Sequence, residues 1–453
     1  MRPFHHCFKS SSFPFRCFLL AVLFSCLFVS KAVKAQQALY FPPLQGNTWD
    51  TVSPATLGWC QDELDTLIDY LQVNNTKAFL LLKDGKMVVE NYFGSFTRDS
   101  LWYWASAGKS LTAFAVGIAQ QEGLLNIQDT TSDYLGAGWT VCPPIKEEKI
   151  TIRNQLTMTS GLDDGVPDHY CTLDTCLQYL ADAGTRWAYH NGPYTLLDSV
   201  IEVASGVSLN NFVTTRIKQP TGMDGFFLPV GYNNVFFSRA RSMARFGLLV
   251  LNQGNWNGTQ VMSDTAYFNA MVQTSQPLNQ SYGYLWWLNG KASFMVPGFQ
   301  SVLPGNIMPS GPSDLIMALG KDGQMLNIVP SMNLVYVRMG DAPGTAEVPL
   351  FFNDTIWQKL NAVMCTGVGL QENSPLLKFR LAPNPASGDF QLRFGSSQTG
   401  KMLVRDVCGR IVFQQEYFNA VSAEISLNVR AGMYIVQFID RQGGISSEKL
   451  LIE

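Results

Sequence analysis

Predicted strands lie at both ends of the segment 36–365, and a mostly helical region at about 134–280 separates them. The first two strands, Ala78–Leu82 and Met87–Tyr92, flank Asp84-Gly85, a dipeptide typical of a hairpin turn. Strand patterns then return at Tyr284–Trp287, Leu315–Leu319, Met325–Val329 and Leu334–Arg338. A sheet whose strands come from both ends of a segment, with helices inserted between them, predicts an α+β domain.

Helical patterns surround these strands. The first pattern follows the helix-start signal Ser53-Pro54 and carries an apolar stripe of Leu57, Cys60, Leu64, Leu67 and Leu71. Three more are Ser106–Gln121, which Gly123 ends, Ser238–Asn252, and the amphipathic segment Pro349–Met364. The domain is therefore expected to open in the order helix, strand, strand, helix.

The composition changes after Cys365, which predicts a second domain. A chain of 453 residues is longer than one compact domain usually is. The segment 366–376 is rich in glycine and polar residues and is predicted to be a linker. The segment 377–453 contains short alternating runs that predict a small all-β sandwich; these runs are Phe390–Phe394, Met402–Val407, Ile411–Gln415, Ile425–Leu427 and Met433–Ile439.

The N-terminus has the layout of a secretory signal peptide. Basic residues precede the apolar run Cys17–Val29, which is shorter than the ~20 residues that span a bilayer. Val33-Lys34-Ala35 then offers small residues at the −3 and −1 positions of a cleavage site. We predict a cleaved signal at 1–35, with an uncleaved anchor or a lipid attached to Cys26 as alternatives. No later segment is apolar and long enough to suggest a stable membrane span.

Export changes the interpretation of the six cysteines after the predicted cleavage site, because an oxidising compartment permits disulfides. These are Cys60, Cys142, Cys171, Cys176, Cys365 and Cys408. Cys171 and Cys176 are close enough in sequence to pair, although sequence does not fix the connectivity. No CxxC pair occurs, and only His169 and His190 follow the signal, so we expect no metal site.

Several other function classes lack their sequence signals. The net charge is −3 and no long basic run occurs, so nothing predicts nucleic-acid binding. The GxSxG elbow of α/β-hydrolases and the Walker phosphate loop are both missing. We therefore expect an activity without a cofactor.

Ser106-Ala107-Gly108-Lys109 is the strongest candidate for a catalytic motif. Residues three apart share one face of a helix, so the amine of Lys109 would lie beside the hydroxyl of Ser106. A lysine desolvated among apolar neighbours has a lowered pKa and can take the proton of a serine nucleophile. The helix N-terminus would also suit an oxyanion. The motif alone is weak evidence, because Ser446-Ser447-Glu448-Lys449 matches it too.

Tyr189-His190-Asn191 supplies a second candidate group. A tyrosine held near an ammonium can be pushed toward phenolate and shuttle protons, and an asparagine amide can fix a substrate carbonyl. The alternative is a loop tyrosine and a turn asparagine before Gly192-Pro193. As the middle residue, His190 is expected to be structural.

The order of these elements resembles the serine β-lactamase superfamily, and most closely its esterase and 6-aminohexanoate-dimer-hydrolase branch. The likeness covers about 39–364 and rests on WASAGKSLTAFAVGIAQQEG, LTMTSGLDD, GTRWAYHNGPYTLL, SRARSMARFGLLVLNQGNW, YGYLWWLNG, ALGKDGQ and IVPSMNLVYVRMG. The resemblance implies a β-lactamase/transpeptidase-like fold, in which an antiparallel sheet is flanked by helices and a helical subdomain. It also implies Ser106 as the acylated nucleophile, Lys109 as its base and Tyr189 as the proton relay. The backbone N–H groups of Ser106 and of the residue after the third-motif glycine would form the oxyanion hole.

The third motif departs from that family's pattern. Penicillin-binding relatives carry Lys/His-Thr/Ser-Gly there and use it to hold a substrate carboxylate. The matching residues here are Ala318-Leu319-Gly320, followed by Lys321, and the alternative register is Lys321-Asp322-Gly323. Neither register keeps a cation followed by a hydroxyl, which favours an ester or simple amide over a β-lactam. Trp187, Trp286 and Trp287 are candidates for an apolar pocket, although tryptophan more often packs in a core.

The C-terminal segment resembles the sorting domain of the type IX secretion system of Bacteroidetes-type bacteria. The supporting stretches are Pro383-Asn384-Pro385, Asp406-Val407-Cys408-Gly409-Arg410, Gly432-Met433-Tyr434 and Lys449-Leu450. This resemblance implies the secretion machinery as a partner and a location at the cell surface or outside the cell. A carbohydrate-binding or spacer sandwich is the alternative.

Taken together, the sequence predicts a secreted serine hydrolase that cleaves a small ester or amide through an acyl-enzyme. One alternative is a D-amino-acid peptidase, carboxypeptidase or β-lactamase acting on cell-wall-type substrates. The other is a non-catalytic, penicillin-binding-like binding protein that has kept the fold and lost turnover.

Overall fold

The computed structural model of the protein describes residues 39–365, 379–406, 410–441 and 445–453. The predicted signal peptide, the predicted linker and Cys408 lie outside these residues. The described residues divide into two compact units. One contains 39–57 and Asp65–Gln358, and the other contains Gly58–Leu64 and the described residues after Gln358. The predicted boundaries at 365 and 377 remain predictions.

The larger unit contains an antiparallel sheet of six strands in the order β2-β1-β13-β12-β11-β8. The strands of this unit are β1 Thr76–Lys83, β2 Lys86–Tyr92, β3 Trp102–Tyr103, β4 Phe226–Val230, β5 Asn233–Ser238, β6 Asn255–Trp256, β7 Thr259–Gln260, β8 Trp287–Leu288, β9 Ser293–Val296, β10 Phe299–Pro304, β11 Ile316–Leu319, β12 Met325–Val329 and β13 Leu334–Gly340. Strands from both ends of the unit thus meet in one sheet, which confirms the predicted fold class.

The hairpin between β1 and β2 forms where it was predicted. Asp84 and Gly85 have φ values of 52° and 82°. Positive φ at both central residues defines the turn whose twist matches that of paired strands. A glycine is also needed for space, since a Cβ on Gly85 would lie 2.0 Å from the carbonyl oxygen of Tyr40.

Five longer helices complete the framework: α1 Gln61–Val73, α2 Lys109–Gln121, α3 Asn191–Ser205, α4 Ala240–Leu251 and α5 Leu350–Val363. Shorter α-helices lie at Ser132–Leu135, Pro144–Glu147, Ile152–Leu156, Leu209–Val213, Gln219–Thr221 and Thr265–Met271, and Thr214–Lys218 forms a π-helix. Short 3₁₀ helices lie at Ala55–Leu57, Ala105–Gly108, Asp174–Cys176, Lys321–Gly323 and Pro330–Met332. Helix α1 begins later than the apolar stripe from Leu57 to Leu71 suggested. Gly58 has a left-handed φ of 71°, which interrupts the helix at that point.

Helices cover both faces of the central sheet. On one face, a Cβ on Gly247 of α4 would lie 2.6 Å from Val335 Cγ1, so the helix backbone rests against β13. On the other face, the Trp357 indole of α5 donates to Asn327 Oδ1 at 3.1 Å. The sheet is therefore the middle layer of the larger unit.

Two longer hairpins were not predicted, and neither was the short hairpin of β6 and β7. Strands β4 and β5 form one inside the predicted helical region, where β5 also pairs with β3. Strands β9 and β10 form the other, between β8 and β11. The strand predicted at Tyr284–Trp287 is reduced to β8, because Leu285 has a φ of 58° and breaks the extended backbone.

The C-terminal segment forms one five-stranded antiparallel sheet made of β14 Phe379–Ala382, β15 Asp389–Asp406, β16 Ile411–Ser426, β17 Gly432–Asp440 and β18 Ile445–Ile452. One edge of β15 pairs with β16, and its other edge pairs first with β14 and then with β17. Phe390, Leu392, Met402 and Val404, from both halves of β15, share one apolar core. The predicted sandwich is thus a single sheet that curls over its own core.

Two disulfides join cysteines of the described chain. Cys171–Cys176 closes a short loop, and this confirms that these two residues pair. Cys60–Cys365 links two segments of the smaller unit. Cys142 is buried and free. Among the described residues, no helix is long and apolar enough to cross a membrane.

Candidate active site

Ser106 lies on the tight 3₁₀ turn Ala105–Gly108, which leads directly into α2. Ala105, just before it, has a φ of 47°, a left-handed conformation that costs a non-glycine residue about 1–3 kcal/mol. Strain of this kind is kept where the surrounding structure fixes a functional group. The turn leaves Ser106 partly exposed at the start of a buried helix.

Gly320 fixes the distance between the serine turn and the central sheet. A Cβ at this position would lie 2.6 Å from the carbonyl oxygen of Trp104 and 3.1 Å from Ala105 Cβ. Only glycine gives the end of β11 room to pass this close to the turn. The residues matched to the third motif therefore lie beside Ser106, as the family resemblance implied.

Lys109 points back at Ser106 from the first turn of α2. Its Nζ donates to Ser106 Oγ at 3.1 Å and lies 4.1 Å from the ring centroid of Tyr194. The side chain is only 4% exposed. Burial lowers the pKa of Lys109 to about 7, although the negative charges of Asp198 and Glu347 raise it. A large fraction of Lys109 is therefore a neutral amine at neutral pH, which is the form that accepts a proton.

Tyr189 also lies within hydrogen-bond reach of Ser106. The Tyr189 ring stacks on the Trp287 ring with centroids 6.0 Å apart, and Lys109 Nζ lies 5.3 Å from the centroid of the Tyr189 ring. Burial raises the pKa of Tyr189, and a hydrogen bond with Ser106 opposes that rise only in part. The direction differs from the expected push toward phenolate, because burial disfavours the charged phenolate more than the hydrogen bond with Ser106 stabilises it. Tyr189 holds its proton at neutral pH and is suited to donate it.

A buried carboxylate lies behind the lysine. Asp198 of α3 is 5% exposed and accepts 3.3 Å hydrogen bonds from Thr112 and Asn234. Burial raises the pKa of Asp198 to about 7, while Lys109 acts in the opposite direction. Lys109 and Asp198 thus stabilise each other's charged forms inside the unit.

Asn191 is the first residue of α3 and is buried beside the serine. Its Oδ1 has no hydrogen-bond partner within the described residues. An unpaired buried amide atom at a cavity wall is available to a substrate. The neighbouring His190 is buried with both ring nitrogens unpaired among the described residues, and burial lowers its pKa to about 4. His190 is therefore neutral at physiological pH.

Two cavities open on Ser106. One of about 420 Å³ reaches Lys109, Tyr194 and the β4–β5 hairpin. The other, of about 190 Å³, reaches Tyr189 and Asn191. Lys321 lines both of them, whereas Ala318 and Leu319 are buried in β11. The cleft thus contains one cation from the third-motif region but no hydroxyl from Ala318 or Leu319.

The three candidate tryptophans have different environments. Trp287 lines a cavity next to the cleft. Trp187 packs against Tyr282 with ring centroids 5.5 Å apart, and Trp286 packs against Phe246 at 5.9 Å. The indole nitrogens of Trp187 and Trp286 are buried without a partner in the described chain. Trp187 and Trp286 therefore belong to the core around the site.

Several residues of the cleft wall were not predicted from the sequence, and His169, Tyr170 and Glu347 are among them. The Tyr170 hydroxyl donates to a Glu347 carboxylate oxygen at 3.3 Å. His169 and Tyr170 directly precede Cys171. The backbone oxygen of His169 accepts a hydrogen bond from Gly192 N of α3 at 3.0 Å. The short disulfide loop was the available signal, because it holds these residues against the start of α3.

The chain belongs to the Beta-lactamase family, whose match covers residues 75–347, more than half of the sequence. This family has the fold of the serine β-lactamase-like hydrolases, as the sequence predicted. Residues 380–453 match a secretion system C-terminal sorting domain, which confirms the second resemblance.

Similar proteins include one uncharacterized protein and several penicillin-binding proteins. The chain is 27% identical to an uncharacterized protein of Alkalihalophilus pseudofirmus over 60% of its own length and 85% of that protein. It is 28% identical to penicillin-binding protein 4* of Bacillus subtilis over 36% of its length, and it spans only 40% of that relative. A solved structure from Bacillus anthracis, classed provisionally as a 6-aminohexanoate-dimer hydrolase, matches with a TM-score of 0.54 and 19% identity, over 71% of this chain and 89% of that one. That likeness concerns the fold alone.

Proposed function

We propose that the protein is a secreted serine hydrolase that cleaves an ester or simple amide through an acyl-enzyme on Ser106. The observation that carries this proposal is the 3.1 Å hydrogen bond from Lys109 Nζ to Ser106 Oγ, made by a lysine whose pKa burial lowers to about 7. A neutral amine at this distance can take the serine proton as the hydroxyl attacks.

We assign the later steps to the other groups of the cleft. In the first half-reaction, Ser106 Oγ bonds to the carbonyl carbon and Lys109 takes the hydroxyl proton. The bond to the leaving group then breaks, and the protonated Tyr189 gives that group a proton. Water hydrolyses the acyl-enzyme by the reverse set of proton transfers. The backbone N–H groups of Ser106 and Lys321 are proposed to bind the oxyanion, and the close approach of Gly320 to the serine turn supports this.

The third-motif region supports a substrate without a β-lactam carboxylate. Ala318 and Leu319 have apolar side chains that cannot hold a carboxylate. Lys321, which lines both cavities, is the observation that favours a second candidate, a D-amino-acid peptidase or β-lactamase. In that case the lysine would bind the carboxylate without a partner hydroxyl.

The sorting domain supports export. A secretion system C-terminal sorting domain implies delivery to the cell surface or the medium, and we propose that the type IX machinery recognises 380–453. The predicted signal peptide would direct the first step into the periplasm.

A substrate panel separates the candidates. The mature protein is mixed with nitrophenyl esters, short linear amides, nitrocefin and D-Ala-D-Ala peptides. We expect the short esters to have the highest kcat/KM and nitrocefin to be a poor substrate. Efficient hydrolysis of nitrocefin or of the peptides would favour the second candidate, and no turnover of any compound would support a binding protein.

A further inference from the structure

A cavity of about 500 Å³ lies next to the catalytic cleft and is not used by the proposed mechanism. It shares Pro297, Glu347 and Val348 with the smaller cavity that Ser106 lines. Its volume is in the range that holds a whole small ligand. A substituent of a substrate bound at Ser106 can therefore extend past this shared wall.

The wall of this cavity is largely apolar. Its apolar residues are Trp287, Phe294, Val296, Pro297, Leu303, Ile307, Pro309, Val348, Leu350 and Phe351. Phe294 of β9 and Leu303 of β10 are cross-strand partners, so both side chains project from the same face of the hairpin toward the cavity. Burial of alkyl or aryl surface here is favourable in proportion to the area removed from water.

The charges of the wall select against an anion. Among the described residues that line the cavity, Glu347 and Asp354 are carboxylates and none is lysine or arginine. Asp354 is held in place by hydrogen bonds from the backbone N–H and the hydroxyl of Ser310, at 2.8 and 3.0 Å. A carboxylate at the end of a substrate chain would meet like charges without a cation.

We propose that this cavity, here called the hairpin pocket, binds a neutral alkyl or aryl substituent on one side of the scissile bond. The β9–β10 hairpin thereby makes the protein selective for esters or amides with an apolar chain. This inference rests on the proposed function, because it takes Ser106 as the reacting group.

The test measures kcat/KM along two series of esters, one with a growing acyl chain and one with a growing alcohol chain. We expect kcat/KM to rise about three- to fourfold per methylene in one series until the chain fills the pocket. An ester of the same length that ends in a carboxylate should be at least about tenfold poorer than its neutral counterpart.

Leu303→Trp and Val302→Trp form a matched pair of variants. Leu303 lines the pocket, whereas its neighbour Val302 is 55% exposed and is absent from the wall. Filling the pocket with Leu303→Trp should lower kcat/KM for the best long-chain ester about 10- to 100-fold and leave the acetate ester within about twofold. Val302→Trp should change neither. Phe294→Ala, which enlarges the pocket, should move the optimum to longer chains.

Labelling by a fluorophosphonate distinguishes a failure of the hairpin pocket proposal from a failure of the proposed serine hydrolase function. If the wild type is labelled and hydrolyses esters but both series are flat, the hairpin pocket proposal is wrong and the proposed function stands. Equal losses from Leu303→Trp and Val302→Trp would also contradict the pocket. If the wild type is neither labelled nor active, the proposed function itself fails.

Discussion

At the residue scale, the site depends on how one lysine is kept partly uncharged. Burial lowers the pKa of Lys109 to about 7, and the carboxylates of Asp198 and Glu347 act in the other direction. Tyr189 and Tyr194 face the same amine from the loop and from α3. In the proposed mechanism, the balance among these groups sets the pH at which Lys109 accepts the serine proton.

Asp198→Asn should therefore move the acidic limb of the kcat/KM profile. The negative charge of Asp198 favours the ammonium form of Lys109, so its removal lowers the lysine pKa. In the wild type, kcat/KM should rise as the pH passes through about 7, and in the variant the same rise should occur at lower pH. Glu148→Gln, which removes an exposed carboxylate at the end of the helix Pro144–Glu147, is the control and should leave the limb in place. A limb that moves to higher pH in Asp198→Asn would contradict this account.

At the element scale, the position of Ser106 depends on the approach of β11 to the serine turn. Gly320→Ala should displace that turn, because the new Cβ would lie 2.6 Å from Trp104 O. We expect kcat/KM to fall about 100-fold, since a displacement of about 1 Å at a reacting group has an effect of that size. Gly344 has open space around its Cα, so Gly344→Ala is the control and should be near wild type. Full activity of Gly320→Ala in the ester assay would show that the approach does not matter.

The elements that the sequence predicted are those with strong local signals. The Asp84-Gly85 turn, the strand Met325–Val329 and the helix after Ser106 each carry their periodicity or turn residues within a few positions. The β4–β5 and β9–β10 hairpins were missed because many of their side chains are exposed and show no clean alternation of burial.

The site residues that were not predicted from the sequence were missed for a different reason. Asp198 is one polar residue on an amphipathic helix, and its partner Thr112 lies 86 positions away in the sequence. Glu347 and Tyr170, which are hydrogen-bonded, are separated by 177 positions. No local pattern reports such pairs, because only the fold brings them together.

At the scale of the whole molecule, catalysis and export are assigned to different parts of the chain. The residues placed at the site, and the Beta-lactamase family match itself, lie before Leu350, whereas the sorting domain covers 380–453. Within that domain, the Asn384 side chain of the Pro-Asn-Pro stretch donates a hydrogen bond to Lys449 O at 2.6 Å and accepts one from Leu451 N at 2.9 Å. These two hydrogen bonds join the first and last segments of the sorting domain.

Truncation after Gly369 should separate the two functions. The cut keeps Cys365, so the disulfide with Cys60 can still form. We expect unchanged esterase activity and loss of release from a host of the native type, measured as activity in the periplasm and in the medium. An aggregated, inactive product would show that the tail is structural. Normal release with weaker binding to a polysaccharide would instead indicate a carbohydrate-binding module.

Reaction with a fluorophosphonate tests whether Ser106 is the nucleophile, when the intact mass is measured and the modified peptide is then mapped. We expect one adduct on Ser106 in the wild type. In Ser106→Ala we expect no adduct and a loss of ester hydrolysis on the order of a millionfold. An adduct on another serine such as Ser446, or labelling and turnover that survive in Ser106→Ala, would contradict the assignment of Ser106.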